Sequence, residues 1–178
     1  MKLRAPSYLM LGMLRLGARS GYAIKKATDL STRYFWPTSL AQVYPELARL
    51  EGAKLVSRED DPHGARNRSA YDLTADGEEA LRAWLRSERE TPTQVRDEGV
   101  LRLFFADALP PEDQVALVRR LIERARATER HMREEIVPLA AEFEQAGVRY
   151  PALVARLGAD TYSFAAEWLE QLEEELRT

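Results

Sequence analysis

The chain has 178 residues, 45% of them apolar, no cysteine and a net charge of −3. That length fits one large domain or two small ones, and the apolar content supports a real core and excludes wholesale disorder. Without cysteine, disulfides and thiolate metal sites are excluded, and a reducing cytoplasm is the expected location. The charge is uneven. Residues 1–58 hold ten Lys/Arg against three Asp/Glu, a balance of +7, which leaves −10 for residues 59–178. A basic first third on an acidic chain points to an anionic partner for that part; a surface whose signs happen to segregate is the plain alternative.

The first apolar run, "YLMLGMLRL", is too short to span a bilayer and is interrupted by Arg15. No small-residue cleavage site follows it, so neither a signal peptide nor a membrane partner is expected. It reads as a central helix, apolar nearly all round, with Ser7 as N-cap and Gly17 as stop. "SGYAIKKATDL" is a second helix with Ala23, Ala27 and Leu30 on one face and Lys25, Lys26 and Asp29 elsewhere. "FWPTS" breaks the chain, and Thr38 or Ser39 caps a third helix that ends near Gly52. In "SLAQVYPELARLEGAKLV", Leu40, Val43, Leu47 and Leu50 recur at helical spacing, yet Pro45 lies within. Proline removes a donor and costs ~3 kcal/mol in a helix interior. The freed carbonyl is that of Ala41, so the helix is expected to loosen on its exposed side there, with Tyr44 aimed outward.

"KLVSRE" and "SAYDLT" read as two strands, with Tyr71 and Leu73 on one side. Between them "DDPHGARNR" makes a turn with a basic tip at Arg66 and Arg68. Thr74 caps a fourth helix whose expected buried stripe is Ala80, Leu81, Trp84 and Leu85. Three helices, a strand, a basic loop, a strand and a helix in under 90 residues match a winged helix-turn-helix, which frees the third helix's outer face for the major groove.

"SERETPTQ" (87–94) reads as a linker between a winged-helix domain (1–86) and a helical region (95–178), giving a mainly α chain. In the latter, Pro111 opens a helix in which Val115, Val118, Ile122, Ala125, Glu129, Met132, Ile136, Leu139, Phe143 and Ala146 form a heptad seam. Pro138 is expected to kink it, and Gly147 to end it. The last helix carries Leu157, Phe164, Trp168, Leu172 and Leu176 on one side. So much apolar surface on one helical hairpin favours a homodimer.

These blocks, in their order and spacing, resemble the PadR family of bacterial transcriptional regulators. The carriers are "SGYAIKKA", Trp36, the Tyr44-Pro45 pair, Leu47, Leu50-Glu51 and the run Tyr71-x-Leu73-Thr74-x-x-Gly77 to Trp84-Leu85. "VRDEGVLRLFFADALPPED" and "YSFAAEWLEQLEEEL" resemble the longer C-terminal region of the first subfamily. One departure stands out: the family has a glycine just before the hydrophobic pair after the third helix, and Lys54 stands there. The resemblance implies a ligand-responsive repressor that binds operator DNA as a dimer through the winged helix. It implies dimerisation through the C-terminal helices, and DNA release when a phenolic acid, drug or other small molecule binds.

On the third helix, Thr38, Ser39, Ala41, Gln42, Tyr44 and Arg49 lie off the apolar face and are the candidate DNA contacts. Gln42 suits adenine and Ala41 a thymine methyl. Ser39 and Tyr44 suit phosphate oxygens, unless Ser39 only caps and Tyr44 packs its ring on the core. Lys25 and Lys26 on the second helix, and Arg66 and Arg68 in the wing, suit phosphates. Phe105 and Trp168 are the candidate effector contacts, the other aromatics of the region being read as core. His63 reads as a polar turn residue, and His131 with Glu135 is too small a set for a metal, so neither metal nor cofactor is expected. No phosphate-cradling glycine loop or placed nucleophile argues for an enzyme. The competing reading is a helical dimeric adaptor that has lost DNA binding.

Overall fold

The computed structural model describes residues 3–61, 68–88 and 95–177, with side chains throughout except at 60, 61 and 68. The chain forms two compact units, residues 1–91 and 92–178.

In the first unit, α1 (Ala5–Arg15), α2 (Gly21–Leu30) and α3 (Leu40–Gly52) precede a hairpin of β1 (Val56–Asp61) and β2 (Arg68–Leu73), and α4 (Ala75–Leu85) follows. The strands are antiparallel, with Val56 opposite Leu73 and Arg58 opposite Tyr71. The backbone N–H of Tyr71 also donates to the Arg19 carbonyl at 2.8 Å, which ties the hairpin to the α1–α2 connection. Sequence chemistry sets the ends. Ser20 caps α2 by accepting from Ala23 N–H, and Thr74 caps α4 by accepting from Gly77 N–H. The helix α1 begins two residues before Ser7. Ser7 is buried instead, and its Oγ accepts from the Arg4 backbone N–H.

The core of this unit joins Met10, Leu11, Met13 and Leu14 of α1 to Ile24, Val43, Leu47, Leu50, Val56, Tyr71 and Leu81. Three expectations shift. In α2, Ile24 and Thr28 take the core position while Leu30 is exposed, because the helix is turned from the Ala23/Ala27/Leu30 face. Leu40 is also exposed, so the buried stripe of α3 is Val43, Leu47 and Leu50. Of the expected α4 stripe only Leu81 is buried. Trp84 stacks face to face on Tyr8 (4.6 Å between centroids), and Leu85 is exposed beyond the last packed turn.

α3 ends in a tight reversal. Lys54 N–H donates to the Glu51 carbonyl and Leu55 N–H to the Leu50 carbonyl, the doubled bonding that closes a helix through a left-handed residue. That residue is Lys54, at φ +61°. Gly17 and Gly147 hold the same place after α1 and α7 at φ +92° and +85°. Lys54 therefore sits where only glycine is free of steric cost, at the position where the family resemblance led to the expectation of a glycine.

The second unit contains α5 (Glu98–Phe104), α6 (Pro111–His131), α7 (Val137–Gln145) and α8 (Tyr150–Leu176). Asp97 caps α5 through the N–H groups of Gly99 and Val100 and accepts from Arg124, which fastens α5 to α6. Between α6 and α7 the helix runs through a π turn, Met132–Ile136. Pro138 follows and has no N–H for the Glu134 carbonyl, so the wider turn lies where the regular ladder would have failed. The buried line differs from the expected seam on both sides of this turn. Leu117, Val118, Leu121, Ala125, Met132, Ile136 and Ala140 are buried, whereas Phe143 and Ala146 of the expected set are exposed.

Glu129, the polar member of that seam, is not a gap. It accepts from Arg126 and Arg133, and Arg126 also forms a two-pronged pair with Glu170 of α8. Arg119, Arg126 and Arg133, seven apart on one flank of the α6–π-turn rod, meet Glu173, Glu170 and Asp160 of α8. The descending partner numbers make the pairing antiparallel.

α8 departs most from expectation. It buries Ala152, Ala155, Ala159, Ala166 and Leu169, with Leu172 packed beside them. Leu157, Phe164 and Trp168 of the predicted stripe point outward, at 66%, 68% and 49% exposure. Small residues face the partner helices because they let backbones approach; the large ones are left for another surface.

Two outcomes follow from this packing. Lys54→Gly keeps the carbonyl that Thr74 Oγ1 donates to and relieves the left-handed strain. Thermal unfolding of the full chain should show a gain of about 1 kcal/mol, strain relief less the glycine entropy. The hydrogen bonds from Arg126 and Arg133 hold the Glu129 carboxyl at about 2, down from 4.5. A depressed carboxyl adds stability that is complete above 4.5 and is lost as pH falls towards 2. Acid unfolding followed by helical circular dichroism should therefore be shallower for Glu129→Gln than for the unaltered chain across that window.

Candidate nucleic-acid interface

α3 presents its outer side because its inner side is narrow. Val43, Leu47 and Leu50 are wholly buried, and the exposed residues between them are Ala41, Gln42, Tyr44, Pro45 and Ala48. The helix continues through Pro45 without interruption. The N-terminus is closed by a reciprocal cap. Ser39 N–H and Ser39 Oγ–H both donate to Gln42 Oε1, at 2.9 and 3.2 Å. Gln42 thus has a local role that its spacing from Ser39 already announced. Its Nε2 donor pair stays available, while its carbonyl oxygen is engaged. Thr38, just before the cap, donates to the Trp36 carbonyl at 3.5 Å.

Tyr44 is half exposed. One edge of its ring rests on Gly21 at the start of α2, so both readings of this residue hold in part: the ring is seated, and the rest of it faces outward.

The charged candidates separate. Lys26 is exposed and has no ion-pair partner among the described residues. Lys25 is paired with Asp29 one turn along. Arg49 is half-buried, pairs with Glu46, and donates to Ser7 Oγ at 2.5 Å. It lies on the side of α3 that faces α1, away from Ala41 and Gln42. Burial pushes Glu46 up, but hydrogen bonds with Arg49 and Ser7 outweigh it and hold the carboxyl below its usual range. Arg66 lies outside the described residues, as does His63, and so does the side chain of Arg68, whose backbone opens β2.

The excess charge is smaller in space than along the chain. Arg19 pairs with Asp72 and Arg15 with Glu78, acids that a count stopping at residue 58 leaves out. Over residues 1–86 the balance is fourteen Lys/Arg against ten Asp/Glu, +4. Two cations not singled out from the sequence also lie on this unit's surface. Arg33 lies over the Tyr34 ring at 5.6 Å, and Arg58 donates to Ser69 at 2.9 Å. Their signal was only position, in the turn before α3 and on the wing strand.

In the second unit, Phe105 meets Phe104 edge-on, and both are exposed. Trp168 lies on the outward side of α8, and the structure gives no contact between it and Phe105. His131 Nδ1 is 3.4 Å from Glu135 Oε1. Among the described residues no group of three or more His, Asp or Glu is placed to hold a metal, and no helix is long and apolar enough to cross a membrane.

The cap can be separated from the surface. Gln42→Ala should destabilise the full chain by about 1 kcal/mol in thermal unfolding, because Ser39 N–H loses its acceptor. Gln42→Glu keeps an acceptor in the same place and adds a charge favourable to a helix start, so its stability should equal or exceed the original.

Comparison with known proteins bears on the whole chain. Residues 10–83 match the transcriptional regulator PadR-like family, and residues 95–177 match the virulence activator alpha C-terminal family. The negative transcriptional regulator PadR of Bacillus subtilis is 26% identical over 175 residues, 96% of each chain. The crystal structure of that organism's PadR with operator DNA superposes with a TM-score of 0.85 at 25% identity, covering 97% of this chain and 99% of that one. Its structure with p-coumaric acid gives a TM-score of 0.78 at 24% identity, covering 98% and 100%. The winged-helix unit thus matches the transcriptional regulator PadR-like family and the helical unit that follows it matches the virulence activator alpha C-terminal family.

Proposed function

We propose that this chain is a ligand-responsive repressor that binds a two-fold symmetric DNA site as a homodimer, residues 1–86 holding the DNA-reading helix and 95–178 the dimer and effector region. The observation that carries the reading is the outer face of α3. It is exposed at Ala41, Gln42, Pro45 and Ala48, small at Ala41, and bordered by donors at Gln42 and at Tyr44, whose ring edge rests on Gly21. The likeness to a negative regulator with an operator complex supports the same assignment.

On this reading Ala41 touches a thymine methyl. Gln42 reads a base acceptor through Nε2, while its Oε1 keeps the cap. Thr38, Ser39, Tyr44 and Lys26 engage phosphates and set the register. Lys25 is engaged by Asp29 within α2, and Arg49 ties α3 to Ser7 of α1. Arg66 and Arg68 approach the backbone from the wing. The second copy covers the outward Leu157, Phe164 and Trp168 of α8, since exposed aromatic surface of this kind in a soluble chain marks an interface. A small aromatic molecule bound near Phe105 and Trp168 would then change operator affinity by favouring one dimer geometry.

The test selects binding sites from a pool of random duplexes, followed by gel shifts across a salt series. A two-fold site is expected, with affinity that falls steeply as salt rises. Gln42→Glu should abolish shifting while leaving the fold intact. Phe164→Glu should sediment as a monomer and bind the same duplex at least about tenfold more weakly, because paired half-sites are lost. A pool that yields no preferred sequence, or a Gln42→Ala, Tyr44→Ala double variant of unchanged affinity, would leave the adaptor reading in its place.

A further inference from the structure

We propose that Gly21 is a positioning residue for DNA binding: its missing side chain seats the Tyr44 ring so that the hydroxyl is held outward from α3. The inference rests on the proposed DNA contact of Tyr44 and adds the residue that aims it.

Nothing in the backbone requires glycine at this place. Gly21 is the first residue of α2, follows the Ser20 cap, and has no left-handed φ. Alanine there would favour the helix. Space is the reason for the glycine. A Cβ on Gly21 would lie 2.5 Å from Tyr44 Cε1, 2.8 Å from Cζ and 3.1 Å from Cδ1. All three are atoms of one ring edge, and Cζ bears the hydroxyl. By contrast, a Cβ on Gly12 of α1 would meet nothing within 4 Å. The atoms in the way belong to the free end of a half-exposed side chain, so the ring would move and the backbone would not. A helical tyrosine has few alternative rotamers, so a displaced ring carries its hydroxyl to a different place on the surface. Gly21 and Tyr44 lie on different helices, and this contact sets the hydroxyl of one by the emptiness of the other.

The experiment uses the full-length protein and a duplex selected by the unaltered chain. Gly21→Ala should keep or raise the thermal midpoint and weaken the duplex by about tenfold or more, the loss of a hydrogen bond to a charged group. Tyr44→Phe, which keeps the ring and removes the hydroxyl, should weaken it to a similar degree. In the Tyr44→Phe background, Gly21→Ala should add no further loss, although the ring still collides with the new methyl. Unchanged affinity for Gly21→Ala overturns the inference alone. So does a full additional loss in the Tyr44→Phe background, or a marked fall in the thermal midpoint, since either puts the effect in the backbone. An unaltered chain that selects no duplex overturns the DNA-binding reading and this inference with it.

Discussion

The architecture of the first unit depends on the burial of one narrow stripe. Val43, Leu47 and Leu50 are inaccessible to solvent, packed into the core with α1 and Ile24 of α2. At about 2 kcal/mol for each fully buried side chain, the stripe outweighs the ~3 kcal/mol that an interior proline costs. The direction of the proline then matters more than its presence. The carbonyl it leaves without a donor is that of Ala41, an exposed residue, so water can satisfy it. A proline two residues on, at position 47 of the stripe, would have freed the carbonyl of buried Val43 instead. The stripe also settles which residues can be anything but structural: once it is inside, Ala41, Gln42 and Tyr44 have nowhere to go but out.

The same constraint explains which site residues were legible in the sequence. The faces of α3 were, because three leucine or valine positions at helical spacing fix a phase. The roles of Gln42 and Arg49 were only half legible. Both lie off the stripe, and periodicity cannot tell a free polar side chain from one engaged locally. Gln42 stands three residues after Ser39, the spacing of a reciprocal cap, and Arg49 three after Glu46, the spacing of a helix-surface ion pair. Read for those partners first, the sequence would have placed both side chains. The seat of Tyr44 on Gly21 was beyond such reading, since it joins different helices across twenty-three positions.

In the second unit, helix positions were legible and helix faces were not. Pro111, Gly147 and the proline-marked break at 138 all lie where the elements change. The face of α8 is hidden from the sequence because apolar size is a poor guide to burial there. Alanines at 152, 155, 159 and 166 carry little hydrophobic signal, yet they line the packed side. Their small size lets α8 approach α6 closely enough for three arginine–carboxylate pairs to span the flank. Beyond the break, at Phe143 and Ala146, the seam is offset for a different reason. A strict heptad assumes an unbroken helix, and the π turn at Met132–Ile136 inserts a residue, so positions beyond it change face.

These two features of α8 are complementary. An ion-pair ladder contributes little when fully exposed and more when its members are interlinked and partly buried, as Glu129 is between Arg126 and Arg133. Charge pairs specify register: a slide of α8 by four residues in one direction would set Leu169, Ala166 and Arg156 where Glu173, Glu170 and Asp160 now meet the arginines. They cannot supply much hydrophobic stabilisation, and neither can alanine. A unit whose longest helix turns its smallest residues inward and Leu157, Phe164 and Trp168 outward has exact internal register but a modest apolar core. Further stabilisation comes, under the proposed dimer, from covering the outward face. Under the proposed dimer, folding of this region and its association are therefore linked, and any molecule that alters how that face is covered alters the whole assembly.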